Sequence, residues 1–233
     1  MWMSAPSKSQ LNRAGKVLRS WARGELVEEQ QYESALATLL AHRAAHQYPL
    51  IKANNGLRSV VTTEQCDIEV TQRLKRAPTI IDKLRREPTM ALSSMQDIGG
   101  CRAVLNTVDE VRRVQHRLSR NRPPVRVTDY IVAPRSSGYR GVHIVVEYDE
   151  RNIEVQLRTR MMHEWAITVE ALSGRLATDL KGGSGPAPVL ALLEAISQAM
   201  ALEEEGALVG SDLQSTIESL RAEAVPFLSG GPR

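Results

Sequence analysis

One stretch near the middle of the chain, GYRGVHIVVEYDERNIEVQLRTR (138–160), constrains the fold more than any other. Apolar and polar residues alternate on both sides of a short polar segment, and this pattern predicts two half-buried strands joined by a turn. One face of the strands should be buried against a core. The opposite face carries His143, Glu147, Glu154, Gln156 and Arg158. Charged side chains within a strand cost free energy unless they are paired or bind a ligand, so this polar face requires an explanation.

The remaining pattern predicts three further strands, with helices before, between and after them. The five strands are predicted at 67–75, 101–106, 125–132, 140–148 and 152–158. Helices are predicted at 8–23, 30–47, 108–120 and 160–178, after Pro78, and at two segments beyond the loop 181–188. An interruption is expected in YPLIKANNGLRS, which contains Pro49 and an Asn-Asn-Gly turn signal, and fraying is expected in the tail FLSGGPR.

Together these elements predict an α/β fold with a mixed five-stranded sheet flanked by helices. A helical extension is expected at 1–64, the sheet-containing core at 65–178 and a second helical extension at 179–233. The chain has 233 residues, of which 42% are hydrophobic, so it can bury a substantial core.

Composition excludes several classes of protein. The two cysteines, Cys66 and Cys101, have no CxxC or zinc-ligand spacing, which argues against a disulfide scaffold or a structural zinc site. No apolar run approaches the roughly 20 residues that span a bilayer, and the N-terminus has no signal-peptide pattern. A cytoplasmic location without a membrane partner is therefore expected.

Positive charge is concentrated in one part of the chain, VRRVQHRLSRNRPPVR (111–126), which has six arginines and no acidic residue. We call it the arginine segment. The formal net charge of +3 permits a phosphate-rich partner. A helix at 108–120 would pack Val111, Val114 and Leu118 on the sheet and turn arginines outward. The alternative is a solvated basic face.

Two carboxylates are candidates for a metal site. Asp97 comes just before Gly99-Gly100 and a predicted strand, and Glu154 lies between Ile153 and Val155 in another. An Asp and a Glu from neighbouring strands commonly hold Mg²⁺, which prefers oxygen ligands and substrate phosphates. The alternative is that Glu154 faces solvent or pairs with Arg158.

Two further features suggest a nucleotide ligand. Lys83 and Arg86 are three residues apart on a predicted helix, so together they could clamp phosphate oxygens, although spacing alone favours a solvated helix face. Gly138 permits a tight turn that presents Tyr139, which would be a platform for stacking a base, or else a core or edge tyrosine.

Three motifs in register resemble the RelA/SpoT synthetase domain. They are MQDIGGCRAVL, DYIVAPRSSGYRGVHIVVEY and IEVQLRTRMMHEWAITVE, and the similarity extends over about residues 65 to 172. The resemblance implies a nucleotidyltransferase-like sheet in a small, stand-alone synthetase. It also implies transfer of the pyrophosphate of ATP to a ribose 3′-hydroxyl, with release of AMP.

The resemblance assigns a role to each matching residue. The catalytic residues would be Asp97, Glu154, Gln156 and Arg158. Asp97 and Glu154 would hold Mg²⁺, and Glu154 would also help to deprotonate the attacking hydroxyl. The ATP-binding residues would be Arg73 and Arg102 at the adenine and Lys75, Lys83 and Arg86 at the phosphates. The acceptor-binding residues would be Tyr139, His143 and Arg135.

Departures from the usual motifs suggest a branch within the family. They are Ser137 for Asn, Gly141 for Ser, and Val169-Glu170 for Glu-His, and the surrounding helix resembles the toxic synthetases of toxin–antitoxin systems. For that branch the acceptor would be the 3′-terminal adenosine of tRNA, and a protein antitoxin would be a partner. The tRNA-binding residues would then be Arg112, Arg117, Arg120, Arg122 and Arg126.

Other functions stay open at this point. The same enzyme could make (p)ppGpp, or its adenosine analogue, from a free nucleotide. A chain of this fold could also be an inactive module that binds RNA or senses nucleotides, although Asp97, Glu154, Tyr139 and Lys83 are intact. The C-terminal helices could form a homo-oligomer contact or bind the antitoxin.

Overall fold

The computed structural model describes residues 6–229. It confirms the predicted α/β fold with one mixed sheet of five strands. The strands are β1 (Glu69–Leu74), β2 (Gly99–Leu105), β3 (Arg126–Asp129), β4 (Val142–Tyr148) and β5 (Arg151–Thr159). The helices are α1 (Lys8–Ala22), α2 (Glu29–Ala44), α3 (Gln47–Thr63), α4 (Ala77–Arg86), α5 (Val108–Asn121), α6 (Arg160–Leu176), α7 (Ala187–Glu204) and α8 (Ser211–Ser229).

The sheet has the order β1-β2-β5-β4-β3, in which β2 and β5 are parallel and the other neighbours are antiparallel. The predicted hairpin is β4–β5, with His143 opposite Gln156. On the other side of β5, Gly100 lies opposite Glu154. Because β5 is the central strand, its polar residues lie in the middle of one face of the sheet.

The other face of the sheet is apolar and forms the main core. Alternate residues of β4 and β5, such as Ile144 and Val155, are buried there against α3 and α5, which contribute Leu57, Val111 and Val114. A second cluster joins α1, α2 and α4. A third joins α6, α7 and α8, and includes Tyr139 and Trp165. Helices and loops therefore surround the polar face without filling it.

The expected interruption in YPLIKANNGLRS is wrong, because this segment lies in α3. Pro49 is the third residue of the helix, where a backbone N–H would have no partner within the helix in any case. Gly56 supplies close packing, since a Cβ there would lie 2.8 Å from the hydroxyl of Tyr148. Packing against the sheet thus outweighs the local turn signal.

Two predicted ends also differ from the structure. The strand predicted at 125–132 ends at Asp129, whose carboxylate accepts hydrogen bonds from the backbone N–H groups of Ile131 and Val132 and so turns the chain. In the tail predicted to be frayed, Phe227–Ser229 belong to α8, and residues 230–233 lie outside the described residues. Among residues 6–229, no helix is both long enough and apolar enough to cross a membrane.

Candidate active site

A cavity of about 540 Å³ lies over the polar face of the sheet. All five strands contribute to its floor, and α4 and the loops 130–139 and 179–182 contribute to its walls. The predicted site residues that line it are Arg73, Lys75, Lys83, Arg86, Asp97, Arg102, Arg126, Arg135, Tyr139, His143, Glu154 and Gln156. Arg158 is buried and does not line the cavity, but it contacts Gln156 and Tyr139.

Asp97 lies at one side of this cavity, where two lysines neutralise it. Lys75 Nζ is 2.5 Å and Lys83 Nζ is 3.1 Å from the same oxygen, Oδ2. Burial would raise the pKa of the Asp97 carboxyl, but the two ammonium groups hold it below its usual range. The second oxygen, Oδ1, is buried and accepts no hydrogen bond from residues 6–229, so this side of the carboxylate offers a lone pair to a ligand.

Glu154 has a different environment, in which both of its oxygens have hydrogen-bond donors. His143 Nδ1 lies 3.0 Å from Oε1, and Gln156 Nε2 donates to Oε2 over 2.7 Å. Burial would raise the pKa of Glu154, but the bonds from His143 and Gln156 lower it to about 2. Glu154 is therefore charged at neutral pH, and the alternative that it pairs with Arg158 is not what the structure contains.

The two carboxylates fit a divalent cation that is shared with substrate. Among residues 6–229 no group of three or more His, Cys, Asp or Glu side chains forms a metal site. Mg²⁺, however, is usually held by one or two carboxylates together with waters and substrate phosphates. Asp97 offers the unbonded Oδ1, and each Glu154 oxygen keeps a further lone pair beside its one hydrogen bond.

A buried network connects Glu154 to Tyr139. Because the Glu154 carboxylate only accepts hydrogen bonds, His143 Nδ1 carries the proton and Nε2 accepts from the Tyr139 hydroxyl, 2.5 Å away. Burial lowers the pKa of His143, which favours this neutral form. Arg158 Nε donates to the same hydroxyl over 3.1 Å and its NH2 group to Gln156 Oε1 over 2.8 Å. The network fixes the orientation of the five side chains that form it.

Comparisons with known proteins identify the family. Residues 72–173 match the model described as "Region found in RelA / SpoT proteins". The chain is 31% identical to the GTP pyrophosphokinase YjbM of Bacillus subtilis over 158 residues. The aligned region covers 62% of this chain and 72% of YjbM. This chain belongs to the RelA/SpoT family. Its small alarmone synthetase type and its class of activity, pyrophosphokinase, are those that the motifs predicted.

Solved structures of RelA/SpoT proteins share the fold. Small alarmone synthetase 2 of B. subtilis superposes with a TM-score of 0.59 at 21% identity, over 70% of this chain and 92% of that one. Small alarmone synthetase 1 of B. subtilis, bound to its product pppGpp, superposes with a TM-score of 0.58 at 27% identity, over 83% of this chain and all of that one. The mixed sheet and flanking helices are therefore features of the family.

The residues predicted to bind ATP in this RelA/SpoT enzyme are cations whose acidic partners are few. Lys83 faces Asp97, so the interpretation of α4 as a merely solvated face is wrong for this residue. Arg86 pairs with Asp82 at 2.9 Å and also with Asp179. Arg102 has a buried Nε without a hydrogen-bond partner, and burial together with the charge of Arg158 lowers its pKa. A bound anion would give Arg102 Nε a hydrogen-bond acceptor and would offset the repulsion from Arg158.

Tyr139, the residue predicted to stack on the acceptor base, is covered by other side chains. Tyr139 lines the cavity as a platform for a base should, but its side chain is completely buried. The ammonium of Lys181 lies 4.8 Å from the centre of its ring, and Tyr130 packs edge-on at 5.5 Å. Gly138 makes the turn with φ of +85°, where a Cβ would lie 2.9 Å from Glu194 Cα of α7. A base could stack on the part of the ring that Lys181 covers only after Lys181 moves.

Several cavity residues were not predicted from the sequence, among them Lys181, Asp179 and Tyr130. Lys181 and Asp179 lie in or beside the segment interpreted as a loop, where no periodicity assigns them a direction. Tyr130 was assigned to a strand, although it is one of five tyrosines in a chain with a single phenylalanine and lies within a family motif. The scarcity of aromatic residues and the position of Tyr130 in the motif are the two signals that could have identified it.

The arginine segment is largely neutralised within the molecule. Arg112 pairs with Asp129, while Arg113 and Arg117 lie 3.6 and 3.2 Å from the carboxylate of Glu64. Arg122 packs on the ring of Tyr148 at 3.9 Å and donates to the carbonyl oxygen of Glu147. Of the predicted tRNA-binding residues, Arg126 lines the cavity and Arg120 is exposed without an ion pair among the described residues.

Proposed function

We propose that this pyrophosphokinase transfers the pyrophosphate of ATP to the 3′-hydroxyl of a free guanosine nucleotide, GDP or GTP. The observation that carries the proposal is the composition of the single cavity described above. Of the residues assigned to ATP, Lys75 and Lys83 contact Asp97, and His143, which is assigned to the acceptor, contacts Glu154 in the same cavity. The two carboxylates are close enough to repel each other: the two lysines lower the pKa of Asp97 overall, and the charge of Glu154 opposes that lowering. Donor and acceptor would therefore meet over this pair.

On the donor side, Lys75, Lys83 and Arg86 would bind the phosphates of ATP, with Arg73 and Arg102 around the adenine. Asp97 and Glu154 would hold Mg²⁺, which supplies charge neutralisation during transfer. When the phosphates and the metal enter, the two lysines would exchange Asp97 for phosphate oxygens. Asp97 would then be free to hold the cation, and its carboxylate would already be ionised.

On the acceptor side, the base would stack on Tyr139, with His143, Gln156 and Arg135 beside the ribose and phosphates. A carboxylate with a pKa of about 2 is a weak general base, so Glu154 serves better as a metal ligand and as an anchor for His143 than as the proton acceptor. Positioning and charge neutralisation would then supply most of the rate enhancement, as expected for phosphoryl-type transfer.

Two observations favour a free nucleotide over the 3′ end of tRNA. The arginines that would bind the acceptor stem are mostly occupied by Asp129, Glu64 and Tyr148. The structurally similar small alarmone synthetase 1 of B. subtilis is bound to pppGpp as its product. The tRNA acceptor, with a toxin role and a protein antitoxin, is the alternative that the same experiment decides.

The test is a transfer assay with ATP labelled at the γ-phosphate and an acceptor panel of GDP, GTP, AMP and deacylated tRNA, with and without Mg²⁺. We expect label in GDP and GTP, one AMP released for each product formed, and loss of transfer when the metal is chelated. Label only in tRNA would replace this proposal by the toxin alternative. No transfer to any acceptor by folded protein would support the inactive nucleotide-binding module.

A further inference from the structure

The loop 178–184 holds one side chain, Lys181, inside the cavity on the acceptor side. The loop is well anchored: Leu180 is fully buried, the Ser137 hydroxyl donates to the Lys181 carbonyl over 2.9 Å, and the Asp179 carboxylate accepts from the Gly182 N–H. Lys181 Nζ pairs with Glu170 of α6 at 2.7 Å and lies over the Tyr139 ring. The backbone on both sides of Lys181 is therefore fixed, while its ammonium group can swing.

The charge around this ammonium group is unbalanced. Arg102 and Arg158 are close enough to repel it, and Glu170 is the acid that pairs with it. Burial, followed by the charge of Arg158, lowers the pKa of Lys181 to about 8, which is the direction expected where positive charge is in excess. Because Lys181 lines the cavity and Arg158 does not, an anion that bound the Lys181 ammonium from the cavity would restore the balance.

The position over Tyr139 adds a steric argument. If an acceptor base stacks on this ring, it takes the space of the Lys181 ammonium. A cation–π contact is worth about 0.5–2 kcal/mol and a stacked base about 1–3 kcal/mol, so the exchange is feasible. A lysine side chain has four rotatable bonds, so the displaced ammonium could bind the phosphates attached to the incoming nucleoside.

We propose that Lys181 is a further acceptor-binding residue, which caps Tyr139 in the empty site and binds the 5′-phosphate chain of the acceptor nucleotide in the loaded one. Glu170 holds the ammonium until the acceptor arrives and releases it afterwards. The inference rests on the proposed free-nucleotide acceptor. It predicts that Lys181 recognises the phosphates of the acceptor, and neither its base nor ATP.

Equilibrium binding of GDP and of guanosine to three variants tests this role. Lys181→Met should weaken GDP binding about tenfold to a hundredfold, as expected for loss of a charge-assisted bond, and guanosine binding by less than about threefold. Glu170→Gln should leave GDP binding unchanged or tighter, because it frees the ammonium. Lys52→Met is the matched control, since it breaks the exposed pair with Asp149 outside the cavity.

Several outcomes would overturn the inference. An equal loss of GDP and guanosine binding in Lys181→Met would assign the residue to the loop structure, as would an equal loss in Glu170→Gln. A loss of ATP binding larger than that of GDP binding would place Lys181 on the donor side. Failure of the proposed function gives a different result. GDP binding would still be weaker in Lys181→Met than in wild type, but wild-type protein would transfer no label from ATP to GDP.

Discussion

The cavity and the arginine segment are both rich in cations, but they differ in where the matching acids come from. Eight lysines and arginines line the cavity together with four acidic residues, and Arg73, Arg102 and Arg135 have no ion pair within residues 6–229. The arginine segment contains no acid in its sequence, yet Asp129 and Glu64 approach it from elsewhere and pair with three of its six arginines. The density of arginine in a sequence is thus a poor guide to where positive charge stays unpaired.

The difference teaches that a phosphate site is recognised by positive charge that the fold leaves uncompensated. Partners such as Glu64 and Arg117 are 53 residues apart, so local composition cannot reveal them. In the cavity, by contrast, desolvated groups such as Arg102 Nε and Asp97 Oδ1 lack partners within the described chain, which makes ligand binding favourable.

The largest effect is expected inside the cavity, at Glu154. Glu154→Gln keeps the shape of the side chain but removes the charge that holds a metal ion, so transfer from ATP should fall by about a thousandfold. Glu147→Gln, on the same face of the hairpin but outside the cavity, is the matched control and should be nearly neutral. Substantial activity in a folded Glu154→Gln protein, as judged by circular dichroism and melting temperature, would remove Glu154 from the metal site.

A smaller effect is expected at Tyr139, where the stacking surface must be separated from the core packing. Because the ring is fully buried, Tyr139→Ala would open a cavity, and Tyr139→Leu is the cleaner change. Tyr139→Leu should weaken acceptor binding by about tenfold to a hundredfold, whereas Tyr139→Phe should keep it within about threefold. If ATP binding falls as much as GDP binding in Tyr139→Leu, the residue has a structural or donor-side role.

A weaker effect should follow when the arginine segment is released from its acidic partner. Glu64→Gln frees Arg113 and Arg117, so non-specific tRNA binding at low salt should tighten severalfold and its salt dependence should steepen by up to about two counterions. Asp149→Asn, which frees the surface Lys52, is the control. Unchanged tRNA binding would mean that pairing with Glu64 is not what keeps these arginines from phosphate.

The smallest effect is expected when the arginine segment itself is changed. With Arg117, Arg120 and Arg122 all replaced by Gln, transfer to GDP should stay within about twofold of wild type, because none of the three lines the cavity. Melting temperature controls for the lost contacts to Glu64 and Tyr148. A loss of tenfold or more in a folded variant would mean that the segment contributes to the reaction after all.

Local patterns predicted much of this molecule. Alternation in β4 and β5 gave the hairpin and its polar face, and three motifs in register gave the family and a set of residues that the fold brings into one cavity. The helix α3 was missed because its Asn-Asn-Gly sequence is a turn signal that packing against Tyr148 overrides. Lys181 was missed because the direction of a loop side chain depends on distant contacts, here with Ser137 and Glu170.

The most direct test of the central claim is a competition in one mixture. GDP and deacylated tRNA at equal concentrations of acceptor ends are incubated with γ-labelled ATP, Mg²⁺ and wild-type protein at physiological salt, and the label in each is measured at early times. The uncompensated charge of the cavity predicts that nearly all of the label enters the nucleotide. Label that enters mainly tRNA, and that falls when Arg117, Arg120 and Arg122 are replaced, would contradict the account.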